Sequence, residues 1–456
     1  MSDLIAAVAT APGAGGVGIL RLSGPGAART AAQVFRPAGK RSLADAPDRQ
    51  LLYGAVLDRE GRVIDTGLAF VSRAPHSYTG EDTAELQCHG SPMVLALALE
   101  ALFAHGARQA LAGEFTRRAF LNGKLDLTQA EAVIDLIDAE TPAAARQAAG
   151  RLEGTLSRTI AALYDGLVDL SAHFHAVLDY PDEDIDPFRA ETIRAALDTA
   201  RAGTAALLAT YDRGRQLTTG VPTAILGRPN VGKSSLLNAL VGYDRAIVTQ
   251  VPGTTRDTIE AKASVGGVLL NLIDTAGLRE TGDEAERLGV ARSRTAARQA
   301  RLVLLVLDGG APLTPEDREA IALAKQAPAC ICLLNKADLD QALDPAALAQ
   351  DFPHLCPVSA RTGAGLEALG PLVARLFPTG DGGAGEALLT NARQVEAVER
   401  AEESLRRAQE GLALGLPPDL LLSDVETALE ALGEVTGTHV REDITRRIFQ
   451  RFCVGK

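Results

Sequence analysis

The sequence of 456 residues has few cysteines, an excess of acidic over basic side chains and no long apolar segment. Its five cysteines lack the framework of a secreted disulfide scaffold and the paired spacing of a zinc site. The formal net charge of −12 argues against a broadly basic surface for nucleic acid. No basic segment precedes an apolar stretch at the N-terminus, and no run approaches the ~18 apolar residues of a transmembrane helix. We therefore expect a soluble, cytoplasmic protein without membrane association.

The most informative segment is a phosphate-binding loop, because residues 227–234 read Gly-Arg-Pro-Asn-Val-Gly-Lys-Ser. In this pattern glycines let backbone N–H groups turn towards phosphates, while Lys233 reaches the β and γ oxygens and Ser234 ligates magnesium. A predicted strand, 221–226, precedes the loop and a predicted helix, 235–240, follows it, so a helix N-terminus faces the anion. A glycine turn that only resembles the motif is the alternative at this point.

Further motifs follow in the order that a guanine-nucleotide switch requires. Residues 254–257, Thr-Thr-Arg-Asp, supply a threonine for magnesium and the γ-phosphate, and residues 274–277, Asp-Thr-Ala-Gly, supply a carboxylate and a γ-phosphate-sensing glycine. In Asn335-Lys336-Ala337-Asp338 the aspartate can accept hydrogen bonds from N1–H and the exocyclic amine of guanine, which adenine does not offer. Residues 359–361 complete the base pocket. The sequence therefore predicts GTP binding through Asn230, Val231, Gly232, Lys233, Ser234, Ser235, Thr249, Thr254, Thr255, Asp274, Thr275, Ala276, Gly277, Asn335, Lys336, Asp338, Ser359, Ala360 and Arg361.

One position differs from the best-known GTPases, in which a glutamine directly after Asp-x-x-Gly orients the attacking water. Here that position is Leu278, which cannot hold a water, so another group must do so. Charge that develops on the β–γ bridging oxygen must also be neutralised. The amide oxygen of Asn230, with backbone carbonyls of residues 249–254, is a candidate to hold a monovalent cation there. The alternative is that Asn230 only stabilises the loop turn.

The length of the chain allows about three domains, and composition and periodicity divide it accordingly. The N-terminal part has short apolar runs at 18–22 and 67–71, which predict a mixed α/β module, and its Gly13-x-Gly15-x-x-Gly18 precedes a strand, so we interpret it as a turn. From about residue 122 the pattern is helical, with a predicted capping box from Thr128 to Glu131.

A long helix is predicted after Thr141-Pro142, and helical periodicity resumes over residues 388–451. Because helical sequence flanks the nucleotide module on both sides, we predict one helical domain interrupted by that module. The long helix carries an apolar stripe that requires a partner, formed by Leu152, Leu156, Ile160, Leu163, Leu167, Leu170, Phe174 and Val177.

The whole chain resembles the bacterial tRNA-modification GTPases called MnmE or TrmE. The residues that carry the resemblance are segments 15–24, 78–82 and 113–127, the GTPase motifs and the terminal Cys453-Val-Gly-Lys456. The resemblance implies a multidomain fold of α/β plus all-α type. It comprises an α+β tetrahydrofolate-binding and dimerisation domain over residues 1–120, a discontinuous helical domain over 121–217 and 379–456, and an inserted P-loop, Ras-like G domain over 218–378.

The resemblance also implies an activity. With a flavin-dependent partner of the MnmG or GidA type, a homodimer would hydrolyse GTP and install an aminomethyl or carboxymethylaminomethyl group at C5 of the wobble uridine of certain tRNAs. Hydrolysis would be stimulated by potassium as the two G domains meet across their switch regions. The one-carbon donor, or its mimic, would be 5-formyltetrahydrofolate or methylenetetrahydrofolate.

The implied site residues fall into four sets. Magnesium is assigned to Ser234 and Thr255, and potassium to Asn230, Thr249, Val251 and Thr254. The folate is assigned to Arg21, Glu85, Lys124 and Lys456. The implied catalytic residues are Glu286, which would orient water through a second water, and Lys233, Asn230, Arg256, Asp257 and Cys453. Without the resemblance, Glu286 is one acid on an exposed helix face and Cys453 an ordinary C-terminal thiol.

Two other functions remain open at this stage. A regulatory or ribosome-assembly GTPase without RNA chemistry would share every motif between Gly227 and Arg361. Such proteins usually append a basic RNA-binding module, and none is visible in this sequence. The second is a folate-dependent aminomethyl transferase with an inserted regulator. Whether folate binding requires Lys456 distinguishes it from the tRNA-modification function.

Overall fold

The computed structural model describes residues 3–179, 190–243, 261–273, 295–379, 385–438 and 442–455. The chain divides into two compact units, Met1–Ile134 with Leu429–Lys456, and Asp135–Ala428. Within the described ranges no helix combines the length and the apolarity needed to cross a membrane.

Both units contain helices and strands. The strands are β1 (Ile5–Val8), β2 (Gly15–Ser23), β3 (Phe35–Pro37), β4 (Leu52–Leu57), β5 (Val63–Ser72), β6 (Thr83–Gly90), β7 (Arg108–Gln109), β8 (Val221–Leu226), β9 (Ala261–Val265), β10 (Val268–Leu272), β11 (Leu302–Asp308), β12 (Ala329–Asn335) and β13 (Leu355–Pro357). The α-helices are α1 (Ala27–Val34), α2 (Pro92–Ala104), α3 (Glu114–Leu121), α4 (Leu127–Ile137), α5 (Pro142–Leu152), α6 (Thr155–Asp179), α7 (Ala190–Leu208), α8 (Tyr211–Thr219), α9 (Lys233–Tyr243), α10 (Pro315–Ala324), α11 (Pro345–Ala349), α12 (Leu369–Leu376), α13 (Ala392–Ala413), α14 (Pro418–Thr436) and α15 (Glu442–Phe449).

The first unit is built on a seven-stranded sheet in the order β3-β4-β5-β6-β2-β1-β7. Helices α1 and α2 pack on β2 and β6, and the β2 residues Leu20 and Leu22 are fully buried in that core. Because successive side chains of a strand point to opposite faces, Arg21 lies on the other face. Its register partner on β6 is Glu85. The predicted apolar strands at 18–22 and 67–71 are confirmed as parts of β2 and β5.

The predicted capping box at the start of α4 is wrong by two residues. Gln129 N donates to Asp126 Oδ1 at 3.0 Å and Asp126 N donates to Gln129 Oε1 at 2.9 Å, so Asp126 caps the helix. Thr128 already lies inside α4, and its hydroxyl donates to Asp126 Oδ1 at 2.7 Å. The aspartate therefore competes successfully for the capping position that the sequence pattern assigned to the threonine.

The single long helix predicted after Thr141-Pro142 is two helices, α5 and α6. Gly154 lies between them with φ 86, a left-handed conformation that ends a helix and that glycine adopts without strain. The predicted apolar stripe is confirmed in part: its buried members on α6 are Leu156, Ile160, Leu167, Leu170 and Phe174, whereas Leu163 and Val177 are half-buried and Leu152 lies on α5.

Helical segments from both sides of the nucleotide module pack against each other. Arg201 Nη2 on α7 lies 2.7 Å from Glu402 Oε1 on α13. Ala143, Leu217 and Leu388 form one buried cluster. These long-range contacts confirm a helical domain that is discontinuous in sequence.

The nucleotide module is a six-stranded sheet in the order β13-β12-β11-β8-β10-β9. All neighbouring strands are parallel except β9 and β10. The predicted strand at 221–226 is confirmed as β8, and the apolar run 331–334 directly before Asn335 lies in β12. Because β8, β11 and β12 are parallel and adjacent, the loops that follow them meet at one edge of the sheet, where open α/β sheets bind ligands.

Candidate nucleotide and folate sites

The phosphate loop joins β8 to α9, and its glycines are required by close contacts. A Cβ atom on Gly227 (φ 149) would lie 2.4 Å from Val306 O, and one on Gly232 (φ 101) would lie 2.2 Å from Asn335 Nδ2. Lys233 Nζ donates to Gly227 O and Arg228 O, both at 2.8 Å, and burial lowers the pKa of Lys233. The loop therefore curls around the ammonium group that would meet phosphate oxygens.

Asn335 ties the phosphate loop to the base-pocket segments. Its Nδ2 donates to Val231 O at 2.7 Å and its Oδ1 accepts from Ala360 N at 2.9 Å. Both ends of this buried amide are used, so three loops that are distant in sequence have a fixed separation. The structure thus brings together the phosphate loop, residues 335–338 and residues 359–361, as the sequence predicted.

The Asp338 carboxylate is oriented by two neighbours. Ser359 Oγ donates to Asp338 Oδ1 at 2.6 Å, and Arg361 Nη2 donates to Oδ2. The Ser359 hydrogen bond and then the Arg361 hydrogen bond lower the pKa of Asp338. An ionised, oriented carboxylate can accept from two donors on one edge of a base, which is the requirement for guanine.

Ser234 and Ser235 lie exposed in the first turn of α9, and Asn230 lies exposed in the loop with φ 62. The other predicted nucleotide, cation and catalytic residues of this module lie outside the described residues. They are Thr249, Val251, Thr254, Thr255, Arg256, Asp257, Asp274, Thr275, Ala276, Gly277 and Glu286, and the folate candidate Lys456 lies outside them too.

Sequence reasoning missed two carboxylates that form ion pairs with basic residues of these loops. Asp308 Oδ2 lies 2.7 Å from Lys336 Nζ and 3.4 Å from Arg228 Nη2, and Asp317 Oδ2 lies 3.1 Å from Arg228 Nε. A signal for Asp308 was available, because it is the first charged residue after an uninterrupted apolar strand. For Asp317 the pattern Thr314-Pro-Glu-Asp317 indicates a helix cap, but no local signal indicates its contact with Arg228.

In the first unit, Arg21 is the centre of the candidate folate residues. Its Nε lies 2.8 Å from Glu85 Oε1, with side chains 21% and 16% exposed. The guanidinium lies over the rings of Tyr78 and Phe115, 5.5 and 5.8 Å from their centroids. Tyr78 OH is 2.9 Å from Thr116 Oγ1. The two rings and the ion pair form a half-buried platform on the sheet face opposite the α1–α2 core.

Lys124 reaches the same loop that carries Tyr78. Its Nζ donates to Pro75 O at 3.0 Å, and Asn122 Nδ2 donates to Thr79 O at 2.7 Å. The turn after α3 therefore holds segment 75–80 by two hydrogen bonds. Because this segment also carries Tyr78, it connects Lys124 to the platform around Arg21.

The C-terminal segment runs alongside residues that lead into α3. Gly113 N donates to Cys453 O at 3.3 Å, and Val454 forms a bridge with Ala112. Gly455 has φ 100, and a Cβ atom there would lie 2.2 Å from Val8 O. The Cys453 thiol itself is exposed. The segment is thus anchored at the end of β1 and beside Ala112 and Gly113, which come shortly before Phe115 in the chain.

Family models match nearly the whole chain. A model of the MnmE helical domain matches residues 127–453, and a model of the GTP-binding protein TrmE N-terminus matches residues 4–124. The tRNA modification GTPase MnmE of Symbiobacterium thermophilum is 46% identical over 456 residues, covering 100% of this chain and 99% of the relative. The protein of the same description from Chloroflexus aurantiacus is 45% identical over 463 residues, covering 100% of both.

The chain is also similar to solved G-domain structures over part of its length. The G domain of the T. maritima FeoB iron transporter is 27% identical, with a TM-score of 0.25, and the match covers 34% of this chain and 96% of that one. A structure of Era in complex with MgGDPNP and 16S ribosomal RNA is 24% identical, with a TM-score of 0.26, covering 40% and 65%.

Proposed function

The chain belongs to the MnmE family of tRNA modification GTPases, and from that premise we propose its substrates, cofactors and partner. It is a GTP hydrolase that takes part in tRNA modification. With a flavin-dependent partner of the MnmG type, it installs an aminomethyl or carboxymethylaminomethyl group at C5 of the wobble uridine of certain tRNAs. It acts as a homodimer in the cytoplasm, where its tRNA substrates are found.

One observation supports RNA chemistry over a purely regulatory GTPase. The C-terminal Cys453–Gly455 segment is built into the folded first unit beside Ala112 and Gly113. A switch that only signals through its G domain has no use for an exposed thiol anchored there. The regulatory alternative is therefore disfavoured.

Lys233 and Ser234 carry the phosphate chemistry of this proposal. The half-buried Lys233 ammonium, already held by loop carbonyls, would exchange them for the β and γ oxygens. The exposed Ser234 hydroxyl beside it is a hard oxygen ligand of the kind that magnesium prefers, so the residues present fit the ion. Thr255 would supply a second ligand, and bound magnesium would neutralise charge on the transferring phosphate. Arg256 and Asp257 complete this catalytic set, and Glu286 would orient the attacking water.

Asn230 is proposed to hold potassium with Thr249, Val251 and Thr254. Its exposed position on the outer turn of the phosphate loop leaves the amide oxygen able to face a cation beside the phosphates. The left-handed φ of 62 also fits the alternative that asparagine is there only for the turn. The two roles are separable by substitution, because glycine keeps the turn and removes the amide.

We expect GTP hydrolysis to be faster in potassium than in sodium at matched ionic strength, and Asn230→Gly to lose most of this preference. In Asn230→Gly we expect the ratio of the hydrolysis rate in potassium to that in sodium to fall about tenfold, because one electrostatic contact to the transition state is removed. Steady-state phosphate release in the two salts measures it. Asn230→Ala is the companion variant, because alanine is strained at this φ. Equal rates of the wild type in both salts, or a preference lost only in the alanine variant, would remove the cation role.

Arg21, Glu85, Lys124 and Lys456 are proposed to bind 5-formyltetrahydrofolate or methylenetetrahydrofolate. The basic groups suit the glutamate tail, and Glu85 can accept from the pterin ring. The half-buried platform of Arg21, Tyr78 and Phe115 fits a flat, amphipathic ring system. The bound folate would supply the one-carbon unit, while these residues bind and orient it.

The proposed function is tested by reconstitution. We expect tRNA from cells that lack this chain to gain the wobble modification when incubated with the protein, its flavin-dependent partner, GTP and a one-carbon donor. Nucleoside mass spectrometry measures the product, and replacing GTP by GDP should abolish it. GTP turnover without any change in nucleoside mass, under conditions where a related enzyme pair is active, would instead establish the regulatory alternative.

A further inference from the structure

Two basic residues of the nucleotide loops and two carboxylates form a cluster of ion pairs: Arg228, Lys336, Asp308 and Asp317. We call it the loop-bridging cluster. We propose that Asp308, supported by Asp317, is a positioning residue for guanine nucleotide binding: it acts through Lys336 and Arg228 and does not contact the nucleotide. The proposal rests on the nucleotide site proposed above.

The position of Asp308 in the sheet explains why it reaches both loops. It is the last residue of β11 and lies in register with Asn335 at the end of β12, while β8 lies on the other side of β11. Its Oδ1 accepts from Gly310 N at 3.1 Å, and its Oδ2 is 2.7 Å from Lys336 Nζ and 3.4 Å from Arg228 Nη2. One carboxylate therefore bridges the phosphate loop and the base-pocket loop.

Asp317 completes the cluster from the first turn of α10. Its Oδ2 accepts from Thr314 N at 3.0 Å in a capping box and also receives Arg228 Nε at 3.1 Å. Arg228 is thus held between two carboxylates. The side chains of Asp308 and Asp317 are 10% and 3% exposed, so solvent screens these pairs much less than a surface ion pair.

The backbone of both loops needs such support. Of the three described non-glycine residues with positive φ, Asn230 (φ 62) and Lys336 (φ 64) lie in these two loops. A left-handed conformation costs free energy in a residue with a Cβ atom and persists only where the surroundings hold it. Lys336 is held by the Asp308 ion pair and by Gln341 Nε2, which donates to Lys336 O at 3.0 Å.

The consequence is a nucleotide site that is organised before binding. Lys336 is two residues from Asp338, so fixing Lys336 fixes the carboxylate that would select guanine. Loops already in their binding conformation lose less conformational entropy when the ligand arrives, which increases affinity. Loss of the Asp308 charge should therefore weaken nucleotide binding and leave the chemical step at saturation almost unchanged.

An effect of charge alone would change nucleotide affinity in the opposite direction, so the two explanations can be told apart by experiment. Neutralising Asp308 removes a negative charge near the phosphate site, so an effect of charge alone would tighten the binding of GDP and GTP. Disordered loops would loosen it.

The test uses Asp308→Asn in the full-length protein, with Asp351→Asn as the matched control. Asp351 is an ion-paired carboxylate of the same module, 2.7 Å from Lys325 Nζ, and it lies in none of the three nucleotide loops. We expect the Kd of a fluorescent GDP analogue and the KM for GTP to rise about tenfold in Asp308→Asn. The kcat should stay within about twofold, and the control should behave as wild type.

A double-mutant cycle identifies the path of the effect. If Asp308 acts through its two cations, Asp308→Asn should add little in a protein that already carries Lys336→Ala and Arg228→Gln. The dissociation rate of bound GDP analogue is recorded too, because it reports on folded, loaded protein only and is insensitive to a smaller active fraction. A purely structural role would lower that fraction without changing the rate.

Wild-type or tighter GDP binding by Asp308→Asn would overturn the positioning role, as would an undiminished effect in the Lys336→Ala, Arg228→Gln background. Either result leaves the proposed GTP site intact, provided that the wild type binds GDP. Failure of the wild type to bind GDP would count against the GTP site itself.

Discussion

Asp338→Asn is expected to change the preferred nucleotide of this GTPase from GTP to XTP. Guanine presents two donors, N1–H and the exocyclic amine, on the edge that an ionised Asp338 would meet. Ser359 and Arg361 hold that carboxylate in orientation and lower its pKa. An asparagine held by the same neighbours offers one acceptor and one donor, so its amide N–H₂ would face the exocyclic amine of guanine.

Xanthine has a carbonyl in place of that amine, which restores the match with asparagine. We expect kcat/KM for GTP to fall about a thousandfold and that for XTP to rise, because a site built to hydrogen-bond one edge rejects a mismatched edge strongly. Parallel measurements of hydrolysis of GTP, XTP and ATP check this. Asp340→Asn, a neutralisation two residues away on the exposed loop, is the control.

Two results would contradict this role for Asp338. Unchanged GTP preference in Asp338→Asn would show that the carboxylate does not read the base. Equal loss of all three nucleotides, with Asp340→Asn unaffected, would show that Asp338 supports the loop and not its selectivity.

The nucleotide site was predictable to the extent that its motifs are local. Strands β8 and β12 are short apolar runs that end directly at a polar motif, so their existence and the edge at which the loops meet follow from sequence. The contact of Asn335 with Val231 O depends on these same strand ends. Each strand and the motif that follows it are encoded within about ten residues, where periodicity and loop chemistry are informative.

Features that depend on strand order were not predictable. The loop-bridging cluster forms only because β11 lies between β8 and β12, which brings together residues 228, 308 and 336. At shorter range, Asp126 displaced Thr128 as the cap of α4, and Gly154 divided the expected long helix. In those two cases the sequence offered competing signals, and local hydrogen bonding decided between them.

The position of the C-terminal segment was also not predictable from the sequence. A Cys-Val-Gly-Lys ending carries no periodicity from which its location could be inferred. In the structure Gly455 lies against the end of β1, where a Cβ atom would be 2.2 Å from Val8 O and 3.1 Å from Ala9 Cα. Backbone atoms of a strand inside a seven-stranded sheet cannot move aside, so the segment itself must shift if residue 455 gains a side chain.

Gly455→Ala is therefore expected to abolish the proposed wobble-uridine modification without reducing GTP hydrolysis. Displacing the segment shifts Cys453, and a shift of about 1 Å in a reacting or positioning group costs about 100-fold in rate. Folate binding should weaken in the same variant, because Lys456 is one of its proposed ligands. Nucleoside mass spectrometry, folate titration and phosphate release measure the three properties separately.

Gly106→Ala is the matched control, since Gly106 has φ 98 and an added Cβ atom there would meet nothing within 4 Å. It imposes the same backbone strain in the same unit without the collision, so it should retain modification. Deletion of residues 453–456 is the stronger variant and should lose both modification and folate affinity. If the deleted protein keeps both, the terminus is not part of the site. If it loses modification but keeps folate affinity, Lys456 is not a folate ligand and Cys453 remains the residue that explains the loss.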